Sequence, residues 1–430
     1  MIEDPNNAAN SLFAVYTNGS VQTRATVECE GQVLVPVSRG AEIFKHVRLP
    51  QGIQPYRSAG WLLAGVVTLI LAAVDVSIGD AILVAAFVVS TWLIESVQVA
   101  PYLALVGPPH SGKTTLLQVL NLVCRRPLLT ADITSAAFYE VYEKLTPTLL
   151  VDETLTAGNR RALFHLFRTG TTRGSVAFRK GRSLKAFGPK VITCTELPND
   201  AGLNSRCVII SMQETNRNNL ANPTDKKILD IADALRKQLL QYRLESYNSL
   251  RLPKVEGDDQ LHSRTRDLYH ALALPIGTDT NCCKELVRLF KMQQEINREP
   301  LSPALTAIVR ELYSYIHAYP EDGKCAQKEL AVRVNQNLEL QQENVRLNAH
   351  ELRRALTSLG FTDRKRTNVG FTVWLNLKAR KRVHQLARYD GIDQEEQFQR
   401  DGFGKNCALC CEPAASNPAA AETREDIGID

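Results

Sequence analysis

Apolar and polar positions along this 430-residue chain follow three successive patterns. Residues 11–55 alternate in character, and Asn18-Gly19 separates two alternating runs, which predicts a small β-rich leader containing a hairpin. Between Tyr102 and Ile210, short apolar runs alternate with stretches of helical period, which is typical of a parallel sheet covered by helices. From about Asp225 onward helical periodicity dominates. The predicted fold class is therefore α/β.

Two apolar segments precede the first predicted strand of this sheet. Seventeen residues between Arg57 and Asp75, and fourteen between Asp80 and Glu95, carry no charge. A membrane-spanning helix needs about 20 apolar residues, so both segments are too short to cross a bilayer. Ser77 suits the N-cap of the second helix. We expect two buried helices and no membrane anchor.

The patterns divide the chain into five predicted regions. These are a β-rich leader at 1–56, an α/β domain with the two apolar lead-in helices at 57–213, a helical region at 214–300, a winged-helix domain at 301–390 and a disordered tail at 391–430. The winged helix is predicted from helices near 303–318, 326–336 and 348–359 followed by a hairpin. The tail is predicted because the sequence after Asp390 becomes polar and rich in Ala and Pro.

A glycine-rich loop follows the first predicted strand of the α/β region. It reads Gly107-Pro108-Pro109-His110-Ser111-Gly112-Lys113-Thr114 and fits G-x-x-x-x-G-K-[ST] between a strand and a helix. Glycines let backbone N–H groups turn inward, where the positive end of the following helix adds to them and forms a cradle for phosphate. We expect Lys113 to reach the β and γ phosphates and Thr114 to bind Mg²⁺, with Thr115 continuing the nucleotide-binding segment. We interpret His110 as a variable loop position.

A second motif places two carboxylates at the end of another apolar run, Thr148-Leu149-Leu150-Val151-Asp152-Glu153. Parallel strands deliver the residues after their carboxyl ends to the edge where nucleotides bind. Asp152 therefore fits a metal ligand that acts through water, and Glu153 fits the base that orients the attacking water. The two motifs together predict ATP and Mg²⁺ as cofactors and ATP hydrolysis as the reaction.

Two further positions lie at strand boundaries. Thr195, or failing that Thr193, ends the predicted strand after Lys190 and is a candidate to hydrogen-bond the attacking water or the γ-phosphate, although threonine is common in strands. Arg206 immediately precedes the strand Cys207–Ile210 and is a candidate to stabilise charge on the transferred phosphoryl group. The alternative for Arg206 is an ordinary surface arginine.

In this order and spacing, the motifs resemble those of the AAA+ ATPases and their relatives, the superfamily 3 helicases. Pro101-Tyr102-Leu103, Phe187-Gly188-Pro189-Lys190 and Ser263-Arg264-Thr265-Arg266-Asp267 look more narrowly like the ATPase modules of phage and plasmid primase-helicase proteins. The resemblance covers residues 60–300. It implies a P-loop NTPase domain of three αβα layers, the strand order 5-1-4-3-2 and a helical lid at 214–300. It also implies that Arg206 is an arginine finger toward a neighbouring subunit and that Arg264 or Arg266 is a lid sensor.

The segment 174–187 predicts a hairpin about the turn Lys180-Gly181-Arg182. In superfamily 3 relatives a hairpin ahead of the polar strand projects into a ring channel and grips single-stranded DNA. The resemblance therefore implies phosphate contacts for Arg179, Lys180, Arg182 and Lys185. A hairpin that is merely solvated is the alternative.

A second basic surface is predicted near the C-terminal end. Residues 361–384 hold seven Lys or Arg against one Asp, a local charge of +6 where the whole chain has +5. The candidate DNA contacts are Arg353 and Arg354 on the third helix and Arg364, Lys365 and Arg366 in the hairpin. A winged helix that docks another protein is the alternative.

The cysteines and the N-terminus bear on the compartment. No secretory signal is visible in the first residues, so we expect a reducing cytoplasm and ten cysteines that are mostly small buried side chains. Cys407, Cys410 and Cys411 form half of a zinc ligand set, but no second Cys/His pair follows, and the nearest histidine upstream is His384. We therefore predict no zinc site here.

The sequence analysis thus predicts an ATP-hydrolysing, AAA+-like motor that acts on DNA, preferably single-stranded, as a homo-oligomer in the replication of a mobile element or phage. Replication proteins are expected partners. Two alternatives stay open at this point. One is an ATP-dependent loader or switch that assembles another protein on DNA, and the other is a non-catalytic DNA-binding regulator.

Overall fold

The structure is a computed structural model, and it describes residues 1–4, 6–36, 42–152, 164–179, 181–198, 200–296, 301–367, 370–400, 403 and 407–411. The chain forms two compact units, Met1–Ile296 and Asn297–Asp430. The finer divisions predicted within the first unit, at residues 56 and 213, stay predictions.

The strands are β1 (Ile2–Asp4), β2 (Asn7–Thr17), β3 (Ser20–Arg24), β4 (Val27–Cys29), β5 (Gln32–Leu34), β6 (Tyr102–Val106), β7 (Pro127–Thr130), β8 (Thr148–Val151), β9 (Val176–Arg179), β10 (Arg182–Lys185), β11 (Lys190–Cys194), β12 (Cys207–Ser211), β13 (Lys324–Ala326), β14 (Arg364–Thr367) and β15 (Gly370–Trp374). The α-helices are α1 (Glu42–Lys45), α2 (Ala59–Ala73), α3 (Ile78–Trp92), α4 (Lys113–Val123), α5 (Ser135–Lys144), α6 (Ala201–Asn204), α7 (Lys226–Ser246), α8 (Ser263–Ala273), α9 (Thr280–Ile296), α10 (Pro303–Ala318), α11 (Gln327–Leu340), α12 (Ala349–Ser358), α13 (Leu377–Asp390), α14 (Glu396–Gln399) and α15 (Ala408–Cys411).

The centre of the first unit is a parallel sheet of five strands in the order β12-β6-β11-β8-β7. When these strands are numbered among themselves along the chain, the order is 5-1-4-3-2, which confirms the order implied by the resemblance. Because every pairing is parallel, all five carboxyl ends lie at one edge of the sheet. That edge receives the loop after Val106 and the carboxylate after Val151.

Helices cover both faces of this sheet. Alternate residues of β6 point to opposite faces, as a pleated strand requires. Leu103 and Leu105 pack with α2, α3, α4 and the helices α7–α9 in one core. Tyr102 and Ala104 pack in a second core with Phe138 and other residues of α5. The domain therefore has three αβα layers, as predicted.

The two apolar lead-in segments are α2 and α3, and both are packed inside the first unit. Each has 15 residues, and Ser58 and Ser77 cap their first turns through side-chain oxygens. Val66 and Ile70 of α2, and Val84 of α3, are fully buried. The prediction of two buried helices is confirmed, and no helix among the described residues combines the length and apolar character that a membrane crossing needs.

A buried lysine ties the amino ends of two sheet strands together. The Lys190 ammonium donates to the Tyr102 hydroxyl and to the carbonyls of Ala186 and Gly188, each at 2.9 Å. It also lies 4.6 Å from the centre of the Tyr102 ring. Burial lowers the pKa of Lys190 well below its usual value. Three acceptors and the ring face replace the water that this ammonium loses.

The leader is built from short antiparallel strands. β1, β2 and β3 form one sheet, and β4 pairs with β5 in a separate hairpin. Asn18 and Gly19 both have positive φ, 51° and 77°, and Thr17 pairs with Ser20 across them. This is the turn that an Asn-Gly dipeptide favours, so the predicted hairpin is confirmed.

The second unit has helices α10, α11 and α12 and a three-stranded antiparallel sheet in the order β13-β15-β14. Asn348 and Glu351 form a complete capping box at the start of α12. The apolar faces of the three helices and of β15 share one core, which includes Leu352 and Val373.

The predicted disordered tail begins too early. The chain continues past α13 into a 3₁₀ turn, Ile392–Gln394, and then into α14 and α15. Ile392 and Phe398 are buried in the core of the second unit, and Phe403 and Cys410 pack against it. These four apolar residues are widely spaced in a polar segment, so the composition gave no sign of them. The predicted start of the disordered tail after Asp390 is therefore wrong.

Candidate functional site

The loop between β6 and α4 is held by two glycines for different reasons. A side chain at Gly107 would place its Cβ 2.1 Å from the carbonyl oxygen of Met212, so only glycine fits between the loop and the end of β12. Gly112 has φ 83°, in the left-handed region that favours glycine, and it is the N-cap of α4. His110 also has a positive φ, 66°, and is exposed at the tip of the loop.

Lys113 folds back over this loop. Its ammonium lies 2.6 Å from each of the carbonyl oxygens of Gly107 and Pro108, and 3.3 Å from the hydroxyl of Ser111. Ser111 is buried, whereas the ammonium of Lys113 is reached from solvent at the mouth of the loop. The loop therefore presents one cation at the start of α4, together with the N–H groups that a helix leaves unpaired at its first turn.

Two hydrogen bonds between side-chain oxygen atoms connect the end of the loop to two neighbouring strands. The Thr114 hydroxyl donates to one carboxylate oxygen of Asp152 at 3.0 Å. The Thr193 hydroxyl donates to the other carboxylate oxygen at 3.1 Å. Thr114 begins α4, Asp152 follows β8 and Thr193 lies on β11, so the three come together only through the fold. Hydroxyl and carboxylate oxygens are the ligands that Mg²⁺ prefers, and they fit such an ion at this edge.

The remaining residues predicted for this edge stand as follows. Glu153 lies outside the described residues. Thr195 lies beyond the last residue of β11 and is exposed, so Thr193, which the sequence offers as the second choice, is the threonine that contacts Asp152. The structure thus brings together Lys113, Thr114 and Asp152, with Thr193 as the fourth member.

Arg206 lies on the opposite side of the sheet from the glycine-rich loop, where the amino ends of the parallel strands are. It directly precedes β12, whose first residue, Cys207, pairs with Tyr102 and whose last residue, Ser211, pairs with Val106. Four residues of parallel strand span about 13 Å. Arg206 is therefore separated by that length of strand from the edge that carries the loop of its own chain.

The surroundings of Arg206 are positively charged. Burial, followed by the charges of Arg264 and Arg168, lowers the pKa of Arg206, while Asp200 partly opposes them. Its Nη1 donates to the carbonyl of Gly202, and its Nε is buried without a hydrogen-bond partner among the described residues.

The two arginines that are candidates for a lid sensor differ in their contacts. Arg266 donates to the carbonyls of Asp258, Asp259 and Leu261, so it holds the loop before α8. Arg264 is exposed and lies near enough to Arg206 to affect its pKa. Neither contact connects a lid arginine to the glycine-rich loop.

The predicted basic hairpin is present as β9 and β10, with Arg179 paired to Arg182 across the turn. Arg182 and Lys185 are exposed, and Lys180 lies outside the described residues. Phe178, which the sequence analysis did not single out, is 76% exposed on β9. The sequence does contain a signal for this residue: Phe178 directly precedes Arg179-Lys180, and an aromatic residue beside basic residues is typical of a single-strand-binding surface.

The basic surface of the second unit is formed by α12 and the β14–β15 hairpin. Arg353 lies over the ring of Phe371 at 4.1 Å, which joins the helix to the hairpin, and Arg354 is exposed. The Lys365 ammonium lies 5.9 Å from the ring centre of Trp374. Arg364 and Arg366 belong to β14 by their backbone.

No protein-family model matches the sequence, and no curated protein is significantly similar to it. The apo C-terminal region of NrS-1 is among the solved structures to which the chain is similar, with 13% identity, a TM-score of 0.40 and 86% of each chain covered. The SCCmec type IV Cch helicase has 13% identity and a TM-score of 0.34, with 75% of this chain and 68% of that chain covered. The JCV helicase has 13% identity and a TM-score of 0.28, with 57% and 63% covered.

These likenesses are distant, and the fold is defined by the chain's own geometry. A five-stranded parallel sheet in the order 5-1-4-3-2, a glycine-bounded loop after its first strand and a helix that begins at Lys113 are the features of a P-loop NTPase domain. The first unit has that fold, as predicted.

Proposed function

We propose that this protein binds ATP and Mg²⁺ at the loop 107–115 and hydrolyses the nucleotide. The observation that carries the proposal is the line of contacts from Thr114 through Asp152 to Thr193 beside the Lys113 ammonium. A phosphate group is a stronger partner for an ammonium than the two carbonyls that hold Lys113. Thr114 would hold the metal directly and Asp152 would hold it through water, and the bound ion would neutralise charge on the phosphates.

Glu153 is the proposed general base. It follows Asp152 directly, and the predicted role is to orient and polarise the water that attacks the γ-phosphate. Thr193 would position Asp152 by the hydrogen bond to its second oxygen. This assignment predicts that Glu153→Gln binds ATP and turns over little of it, while Glu143→Gln, which removes an exposed carboxylate from α5, behaves as the wild type.

Arg206 is proposed to act on the nucleotide of a neighbouring subunit. Its place at the amino edge of β12, about 13 Å of strand from the loop edge, removes it from the site of its own chain. A ring or chain of identical subunits would bring one subunit's amino edge to the next subunit's loop. The nearby charges of Arg264 and Arg168 support an anion-facing surface there.

Complementation between inactive variants tests this arrangement. Lys113→Ala and Arg206→Ala each abolish turnover alone. Mixed together, they recover part of it, because some interfaces combine an intact loop from one subunit with an intact arginine from the other. Arg288→Ala, an exposed arginine on α9, serves as the control and retains activity. Mixtures that stay inactive although native mass shows mixed oligomers would place Arg206 in its own chain's site or outside catalysis.

The proposed substrate of the motor is single-stranded DNA. The β9–β10 hairpin offers Arg182 and Lys185 to phosphates and the exposed ring of Phe178 to a base. The basic face of the second unit, proposed as a winged helix, adds Arg353 and Lys365. ATP turnover measured with and without single-stranded DNA, alongside native mass, tests both the nucleic acid and the oligomer.

An ATP-dependent loader is the second candidate, because Ser205-Arg206-Cys207 resembles the finger of clamp loaders. A strand-unwinding assay separates the two: a helicase-like motor displaces a labelled strand with ATP, and a loader does not.

The double variant Arg182→Ala/Lys185→Ala tests the β9–β10 hairpin as the DNA-binding element. We expect the stimulation of ATP turnover by DNA to fall while the basal turnover without DNA stays unchanged. Unchanged stimulation would refute the hairpin proposal.

A further inference from the structure

Four side chains with metal-binding atoms meet in the second unit, outside the unit that carries the P-loop. They are His317 in the last turn of α10, His384 on α13, Cys407 just before α15 and Cys410 on it. Their nearest ligand atoms all lie within 4.8 Å of one another. The sequence shows only the cysteine half of this set, because His317 and His384 precede their cysteine partners by 93 and 23 residues.

The spacing of the four atoms is close to that of a tetrahedral zinc site. His317 Nε2 lies 3.0 Å from Cys410 Sγ, and His384 Nε2 lies 3.3 Å from Cys407 Sγ. With Zn–S bonds of about 2.3 Å and Zn–N bonds of about 2.0 Å, ligand atoms in a tetrahedron are about 3.5 Å apart. A small contraction or expansion of the cluster is therefore enough to seat one ion.

Both imidazoles are held in the orientation that a metal requires. His317 Nδ1 bonds the carbonyl of Tyr313 at 2.7 Å, and His384 Nδ1 bonds the carbonyl of Arg380 at 2.8 Å. A carbonyl only accepts, so each Nδ1 carries the proton and each Nε2 presents a lone pair toward a cysteine. Histidine ligands of zinc are oriented in the same way by partners beyond the metal.

Aromatic rings pack against the two histidines, and a hydrogen bond from an arginine fixes α15, which carries Cys410. Tyr313 packs against both histidines, with ring centres 4.4 Å and 5.3 Å away, and Phe403 lies 4.7 Å from His317. Arg388 donates to the carbonyl of Leu409 at 2.7 Å and so holds the short helix that carries Cys410. His384 is buried and the other three residues are half-buried. A full set of four protein ligands is typical of a structural zinc site, whereas a catalytic one keeps a position open.

We propose that His317, His384, Cys407 and Cys410 bind one Zn²⁺ and that this ion fastens α15 to the second unit. Two thiolates balance the charge of the ion, and two neutral imidazoles complete the tetrahedron. Binding releases the two thiol protons to solvent and changes no oxidation state. The site explains why the chain after Asp390 returns to the core instead of leaving it.

The metal content of the full-length protein tests the proposal. We expect mass spectrometry of the protein, purified under reducing conditions and dialysed, to find one zinc per chain. Cys407→Ser/Cys410→Ser is expected to lose it, while Cys29→Ser, which changes an exposed cysteine of the leader, keeps it. Zinc that persists in the double variant, or wild-type protein that takes up none when supplied with Zn²⁺, would overturn the proposal.

Cobalt spectroscopy on the wild type keeps the test decisive if the double variant fails to fold. Co²⁺ in this site is expected to show the strong visible bands of a tetrahedral ion and a thiolate charge-transfer band in the near ultraviolet. Cys407→Ser should lower that band by about half, in proportion to the thiolates left, and His350→Gln on the exposed face of α12 should leave it unchanged. A spectrum without thiolate bands, or a Cys407–Cys410 disulfide found by alkylation under non-reducing conditions, would also refute the site.

Discussion

Glu95 joins three segments of the first unit, and its removal gives a quantitative test of the packing. It lies in the 3₁₀ turn after α3. One carboxylate oxygen pairs with Arg125 after α4 at 2.7 Å, and the other pairs with Arg243 of α7 at 2.7 Å. The side chain of Arg125 is only 11% exposed, so its charge depends on this carboxylate.

The free energy that Glu95 contributes to folding follows from its pKa. Burial alone raises that pKa, but Arg125 and Arg243 overcome it and hold the pKa at about 2, against 4.5 for a free side chain. A shift of about 2.5 units corresponds to about 3.4 kcal/mol. The carboxylate is 33% exposed and partly screened by water, which reduces the expected loss of unfolding free energy in Glu95→Gln to about 2 kcal/mol.

The pH dependence has a definite sign. Because the folded state holds Glu95 ionised below its unfolded pKa, the stabilisation is complete above about pH 5 and is lost as the pH falls toward 2. The difference between wild type and Glu95→Gln at pH 3 should therefore be less than half of that at pH 7.

Urea unfolding followed by tryptophan fluorescence, to which the buried Trp92 two residues before this turn contributes, measures both quantities. Glu140→Gln removes an exposed i,i+4 pair with Lys144 and serves as the control, with little change expected. Equal midpoints for Glu95→Gln and wild type at pH 7, or a difference that is as large at pH 3, would refute the reasoning.

Three further substitutions have expected outcomes. Gly107→Ala should abolish nucleotide binding in calorimetry, because the methyl carbon would lie 2.1 Å from the Met212 carbonyl, whereas Gly323→Ala, at a position with open space, should bind normally. Thr193→Val should lower the rate of ATP turnover about tenfold with little change in nucleotide affinity, and Thr193→Ser should restore it; equal rates for Val and Ser would exclude the hydroxyl. Lys190→Met should lower unfolding free energy by about 2–4 kcal/mol, since two buried carbonyls lose their donor, and an unchanged melting temperature would contradict this.

The sheet, the loop and the hairpins could be predicted because their signals are local. A short apolar run bounded by turns marks each sheet strand, and the strand order of the resemblance is confirmed by the pairing. The Asn18-Gly19 turn follows in the same way from a dipeptide preference. Interactions that span many residues leave no such pattern. Neither the Glu95 pair with Arg243, 148 residues away, nor the Lys190 contact with Tyr102, 88 residues away, could be predicted from the sequence.

Which of Thr193 and Thr195 contacts Asp152 is decided by the register between β11 and β8, which the sequence does not give. The two threonines are two residues apart, so a sequence pattern that extends the strand to Thr195 predicts both on one face, whereas β11 ends at Cys194. Val151 pairs with Ile192, so Asp152 is level with Thr193, and Thr195 lies two residues farther along. Sequence periodicity fixes the face of a strand, but the position of its neighbour along the strand is set by pairing.

Strand direction then decides which residues of one chain can act together. In a parallel sheet, residues after a strand lie at one edge and residues before a strand lie at the other. Asp152 follows β8 and Lys113 lies after β6, whereas Arg206 precedes β12, so the first two share an edge that the third does not. If Arg206 takes part in hydrolysis, the complete site needs two chains, and turnover must then rise more steeply than protein concentration until the oligomer is formed. A rate per chain that is constant over the range in which native mass changes from monomer to oligomer would remove Arg206 from the reaction.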